Sequence, residues 1–268
     1  MSGTGTVFVG AAPRLALSVT GTGALVLFLH GIGGNRRNWQ PQMEFFAARF
    51  RAAAWDARGY GESDDYDGPL QFTEFTRDLE RVLVHFGAPK AHLVGLSMGG
   101  RIARNFALAY PQRVASLVLA NTSPGYDALS PQAVEAFLAA RRAPLLAGKP
   151  PADIAPGVAR SLLGSNPAAG AYEALVQSIS ALHKDSYLKT LEASVTQDRG
   201  ARIEDIRCPT LVVTSDEDRL YPPALAREMA RRIAGAELVE IRGAGHISNL
   251  EQPEQFNRAV LDFLLKHP

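Results

Sequence analysis

A single cysteine, Cys208, stands among 268 residues, which excludes an internal disulfide and a thiolate metal cluster. It precedes Pro209 at the mouth of an apolar run and reads as a small buried filler. Net charge is almost absent: Lys and Arg number 28 against 27 Asp and Glu, a formal balance of +1. No basic stripe or acidic tail interrupts that balance, so neither nucleic acid nor a membrane surface is an expected partner. No apolar run approaches the roughly 20 residues that span a bilayer. The opening MSGTGTVFVGAAPR lacks a positive start followed by a long apolar block, so no secretory signal is visible and a cytoplasmic location is expected. Oligomeric state is not legible in the chain; a homodimer is held open.

What is present alternates. Strand-length apolar runs fall at Thr6–Val9, Leu15–Val19, Ala24–Leu29, Ala52–Trp55, His92–Leu96, Val114–Leu119, Thr210–Thr214 and Glu237–Ile241. Several, such as ALVLFL and TLVVT, are continuous, which suits strands covered on both faces of a parallel sheet. Amphipathic segments at Gln40–Ala48, Phe72–Phe86, Gly99–Tyr110, Pro223–Ile233 and Glu254–Leu265 separate them. The pattern predicts an α/β fold with a mostly parallel, eight-stranded sheet flanked by helices. From about Thr122 to Gln197 no strand is evident and seven prolines, from Pro124 to Pro167, punctuate short helices. One of these starts with Ser130 as N-cap and Pro131 at the first helical position. The expected organisation is a core of 1–122 and 197–268 with a helical cap of 123–196 that roofs a site.

The stretch LVGLSMGG, residues 93–100, crowds three glycines around Ser97 where a strand passes into a helix. So sharp a turn strains its central residue, and small neighbours at 95 and 99 prevent backbone clashes. This Gly-x-Ser-x-Gly pattern is a nucleophile elbow, which lifts the hydroxyl to the carboxyl edge of the sheet. The following helix, from Met98, aims its N–H groups at the same place.

A serine hydroxyl needs a base. Of six histidines, His85, His92, His183 and His267 fall where surface or packing roles suffice, and His30 reads as a pin for its own loop. His246 lies in IRGAGHISNLEQPEQF, between the last strand and last helix, with Gly243 and Gly245 to bring the imidazole over the sheet edge. It is the expected general base. The carboxylate that orients it comes from SDEDRLYPP, where Asp216, Glu217 and Asp218 all compete. The order serine, acid, histidine fits this fold. For the oxyanion, FLHGIGGN offers the Ile32 N–H beside that of Met98. That glycine-rich stretch lacks the Lys-Ser/Thr ending of a phosphate loop.

Together FLHGIGGNRRNW, WDARGYGES, GLSMGG, TLVVTSDEDRLYPP and GAGHISNLEQPEQF resemble the α/β-hydrolase family across nearly the whole chain outside the cap. The resemblance implies Ser97 as nucleophile, His246 as base and Asp218 as acid, with Asp216 its main rival, and Ile32 and Met98 at the oxyanion positions. It implies no cofactor and no metal. Asp56, Arg58, Gly59 and Gly61 match a structural turn of the family. Epoxide hydrolases and haloalkane dehalogenases carry aspartate at the elbow, so Ser97 argues against both. Leu96 and Ile247 stand where carbon–carbon bond hydrolases of aromatic breakdown show asparagine and tryptophan. The closer likeness is to 3-oxoadipate enol-lactone hydrolases and small carboxylesterases. The expected activity is therefore hydrolysis of a small ester or lactone through an acyl-enzyme. Arg36, Arg37, Arg141 and Arg142 are candidate counter-ions for a carboxylate-bearing substrate. Carbon–carbon hydrolysis of a vinylogous diketone is the alternative chemistry, and a non-catalytic ligand receptor the alternative class.

Overall fold

Eight apolar runs pair into one sheet: β1 (Gly5–Val9), β2 (Leu15–Thr20), β3 (Leu25–Leu29), β4 (Arg51–Trp55), β5 (Ala91–Leu96), β6 (Val114–Ala120), β7 (Thr210–Ser215) and β8 (Glu237–Ile241). A computed structural model describes residues 4–125, 130–198 and 202–268, so 1–3, 126–129 and 199–201 of the expected core and cap lie outside the described residues. Strand order is β1-β2-β4-β3-β5-β6-β7-β8. The β1–β2 and β2–β4 pairs are antiparallel and every other pair is parallel. All side chains of β3, β5 and β7 are buried, which explains their apolar or small character, His92 of β5 excepted. Each fully buried Leu or Val there stabilises the fold by about 1.5–3 kcal/mol.

Helices α1 (Gln40–Phe46), α2 (Thr73–His85) and α3 (Met98–Ala109) alternate with the first six strands. Then α4 (Pro131–Leu146), α5 (Pro151–Leu162), α6 (Ala171–Ser180) and α7 (Lys184–Gln197) follow one another with no strand among the described residues. The chain returns to the sheet for β7, α8 (Pro223–Arg232) and β8, and closes with α9 (Ser248–Glu251) and α10 (Pro253–Lys266). Helix α3 packs on β5 and β6, and α8 on β7 and β8.

Ser130 caps α4 as the sequence predicts, its hydroxyl accepting from the Ala133 N–H at 3.2 Å. The prolines do not all act as breaks. Pro144 lies inside α4 and Pro156 inside α5. In each case the residue four before, Ala140 or Ala152, is exposed, so water can take the carbonyl that proline leaves without a donor. Cys208 is half-buried, not fully buried as expected, because it sits at the rim where β7 begins; burial still pushes its thiol pKa up. No described helix is long and apolar enough to cross a membrane.

Candidate active site

Parallel strands deliver their carboxyl ends to one edge, and β5 ends there in Ser97. Its φ of 55° and ψ of −116° lie in a region that few non-glycine residues adopt. The three glycines around it each answer a separate contact. A Cβ on Gly95 would strike the Gly99 carbonyl, one on Gly99 the Leu29 carbonyl, and one on Gly100 would come within 2.8 Å of Thr122 Cβ. Gly95 and Gly99 thus let β5, α3 and β3 meet as bare backbone, and Gly100 leaves room for the Thr122 side chain. Thr122 adds a clasp, donating its hydroxyl to the Ser97 carbonyl at 2.6 Å.

The loop after β3 folds over this serine. A Cβ on Gly31 would lie 3.1 Å from Ser97 Cβ and 3.6 Å from its Oγ. His30 fixes that loop from beneath. Its Nε2 accepts from the Ala57 N–H at 3.1 Å, which leaves Nδ1 to donate to the Gly31 carbonyl at 2.8 Å. Burial lowers the His30 pKa and keeps the ring neutral, as that tautomer requires. Ile32 follows directly, and Met98 opens α3, whose first turn leaves its N–H groups without intrahelical acceptors.

At the end of β7 burial and contact set the competing acids apart. Asp216 is exposed and accepts from the Gly243 N–H at 2.8 Å, closing the loop after β8. Asp218 is only 3% exposed, and its Oδ2 lies 2.9 Å from His246 Nδ1. Its Oδ1 accepts from the N–H groups of Leu220 and Tyr221, both at 2.9 Å. Burial opposes its charge, yet His246, by charge and by hydrogen bond, then Tyr221 N–H and Asn121, hold its pKa below the usual aspartate value. The Tyr221 ring packs edge-on against the imidazole, 5.4 Å between centroids. Among the described residues no hydrogen bond joins Ser97 Oγ to His246, so the structure pairs histidine with acid but leaves the serine unpaired.

Two contributors escape sequence reasoning. Asn121, at the end of β6, is the other described non-glycine residue at positive φ, 43°. Its Nδ2 donates to Asp218 Oδ2 at 3.0 Å and to Ser215 Oγ at 2.9 Å, while Ser248 donates to its Oδ1 at 2.6 Å. A polar residue closing the buried run VASLVLA was the available signal. Glu251, five residues beyond His246, is fully buried. Burial raises its carboxyl pKa against the pull of three backbone N–H donors and of His246.

Beside the Gly31 loop lies a small pocket lined by Ile32, Leu96, Leu162, Leu175, Ile179 and Ile247 together with His30, Trp39 and two asparagines. The candidate arginines lie elsewhere. Arg36 is buried against Asp56 and Glu62, and Arg37 reaches toward Glu62 from solvent. Arg141 stacks on Phe137 with its guanidinium 4.1 Å from the ring centre, and Arg142 pairs with Glu192. None of the four lines the pocket. Asp56 also accepts from the Arg36 and Glu62 N–H groups, and its carboxylate fills the space that a Cβ on Gly61 would need, as a structural turn should.

Against known proteins, residues 24–253 match the family model described as alpha/beta hydrolase fold. A protein of Azorhizobium caulinodans, provisionally named carbamate hydrolase RutD, is 30% identical over 95% of this chain and 96% of its own length. A Klebsiella pneumoniae protein named 2-hydroxy-6-oxononadienedioate/2-hydroxy-6-oxononatrienedioate hydrolase is also 30% identical, over 96% of this chain and 93% of its own. Among solved structures, a thermophilic esterase from Thermogutta terrifontis superposes with a TM-score of 0.87 at 30% identity, covering 100% of both chains.

Proposed function

The chain belongs to the α/β-hydrolase fold family, and within it we propose that it is a cytoplasmic serine hydrolase of small, uncharged carboxylic esters or lactones. The observation that carries this reading is the buried hydrogen bond from His246 Nδ1 to Asp218 at the sheet edge where Ser97 is held at positive φ. With Nδ1 donating to the carboxylate, Nε2 is the free base. It takes the Ser97 proton as Oγ attacks the carbonyl carbon; hydrogen bonds of this kind tighten when substrate arrives. The carbonyl electrons move to oxygen, which rests on the Ile32 and Met98 N–H groups. Collapse expels the alcohol, which takes the proton from His246 and leaves an acyl-Ser97. Water, giving its proton to His246, attacks that ester in turn, and His246 returns the proton to Ser97 Oγ as the acid leaves. The helices between β6 and β7 roof the pocket. Its apolar lining, with none of the four arginines in it, favours an uncharged acyl group over a carboxylate-bearing one.

Overall identity does not choose the substrate, since three proteins with three different names stand at 30%. The second of those names describes a vinylogous 1,5-diketone, which keeps carbon–carbon hydrolysis as the competing reading. A panel of p-nitrophenyl esters, lactones, carbamates and such a diketone, with Ser97→Ala as blank, decides. Turnover of neutral esters or lactones at least about tenfold above the others, lost in Ser97→Ala, is expected. Preference for the diketone would replace the ester reading, and turnover surviving in Ser97→Ala would remove the serine mechanism altogether.

A further inference from the structure

Glu251 gathers three backbone donors from two distant parts of the chain. Its Oε1 accepts from the Ile247 N–H at 3.0 Å, and its Oε2 from the Gly245 N–H at 3.0 Å and the Gly164 N–H at 2.6 Å. Gly245 and Ile247 flank His246 on both sides. Gly164 belongs to the connection between α5 and α6, in the helical insert. The same connection takes the intervening amide as well: the His246 N–H donates to the Leu162 carbonyl at 2.7 Å. Three consecutive amides around the histidine are therefore anchored, two by one carboxylate and one by the insert.

The contact is backbone against backbone. A Cβ on Gly164 would lie 2.7 Å from the Gly245 nitrogen and 2.9 Å from the Ala244 carbonyl carbon. Next along, Ser165 donates through its N–H at 2.7 Å and its hydroxyl at 2.6 Å to Glu217, the neighbour of Asp218. The Ala168 N–H donates to the Glu251 carbonyl at 3.0 Å. One connection of the insert thus grips both the histidine loop and the acid loop. Burying a carboxylate is costly, and the three N–H donors offset that cost here.

We propose that Glu251 is a positioning residue that locks the His246 loop to residues 162–165, so that the insert holds the general base in register. This rests on His246 being the base. A glutamine at 251 must present its NH₂ to at least one backbone N–H, and the lock loosens on one side. An alanine at 164 keeps the carboxylate but pushes the insert away from Gly245.

Glu251→Gln, Gly164→Ala and the double variant are compared with wild type on p-nitrophenyl acetate, with rates normalised to sites titrated by a fluorophosphonate. Each single change is expected to lower kcat about tenfold with KM within about twofold, because small misplacement of a base costs rate more than binding. The double variant falls no further than the worse single one, as two cuts through one lock should. Wild-type kcat per titrated site in Glu251→Gln, or in Gly164→Ala should the first not fold, overturns the proposal, and so do fully multiplicative losses. Ser97→Ala and His246→Ala run alongside. If both are inactive while Glu251→Gln matches wild type, only the lock fails. If either keeps full activity, the reading of the site fails with it.

Discussion

Two buried aspartates show how differently this protein uses negative charge. Asp78, on α2 and wholly buried, accepts from Arg58 Nε at 2.7 Å and Nη2 at 2.9 Å, and from Arg81 Nη1 at 2.8 Å. Asp218, equally inaccessible, meets no guanidinium: its partners are the His246 ring, the Asn121 amide and two backbone N–H groups. The first carboxylate is neutralised by groups that never lose a proton, so it can only brace. The second is surrounded by neutral donors and one titratable ring, so its charge is available when that ring gains a proton. Burial and hydrogen-bond number do not separate scaffold from site here. The kind of partner does.

Exchanging each acid for its amide is the sharpest way to break that contrast. Asp218→Asn should reduce kcat by about 10³ to 10⁴, because the imidazole loses both its tautomer and its counter-charge. Stability should change by only about 1 kcal/mol, since no buried cation is orphaned. Asp78→Asn should do the reverse. It leaves Arg58, 6% exposed, with Glu74 as its remaining carboxylate partner and costs about 3 kcal/mol of stability, with kcat per folded molecule within about twofold of wild type. Paired urea titrations and initial rates check both. Equal activity losses in the two variants would erase the distinction.

A smaller effect sharpens the same contrast among the histidines. His92, 1% exposed and bonded to Ser116 Oγ, serves the scaffold, and burial lowers its pKa from 6.5 to about 4. Between those values the unfolded chain binds the proton and the folded chain does not, so stability falls as pH drops from about 6.5 toward about 4. Burial lowers the His30 pKa too, and it adds to the same slope. His92→Gln should flatten the acid side of the stability curve by roughly 3 kcal/mol over that window and leave the pH profile of kcat/KM in place. A displaced rate profile would mean that His92 communicates with the site.

Much of this arrangement could be read from the chain itself, for identifiable reasons. The central strands announce themselves because a strand buried on both faces tolerates mostly apolar residues, as LVLFL does, whereas β1 and β8 are only partly buried. Ser97 is legible because its glycines are forced by contacts that allow no Cβ. Strand order is not legible, since β3 lies between β4 and β5 through pairing that no local pattern encodes. Asn121 and Glu251 are not legible for a related reason: each is one polar residue whose partners lie far away in sequence. Asn121 meets Asp218 across 97 residues and Glu251 meets Gly164 across 87. The arginines show the converse. Arg36 and Arg141 look available in the chain, and the fold sets the first against Asp56 and stacks the second on Phe137, outside the pocket lining.

Rapid mixing of p-nitrophenyl acetate with the protein, quenched in acid and followed by peptide mass spectrometry, tests the claim on which the rest stands. We predict a burst of about one p-nitrophenolate per active site and an acetyl group on Ser97, both abolished in His246→Ala. Steady turnover with no adduct at Ser97, or an unchanged burst without His246, would contradict the account.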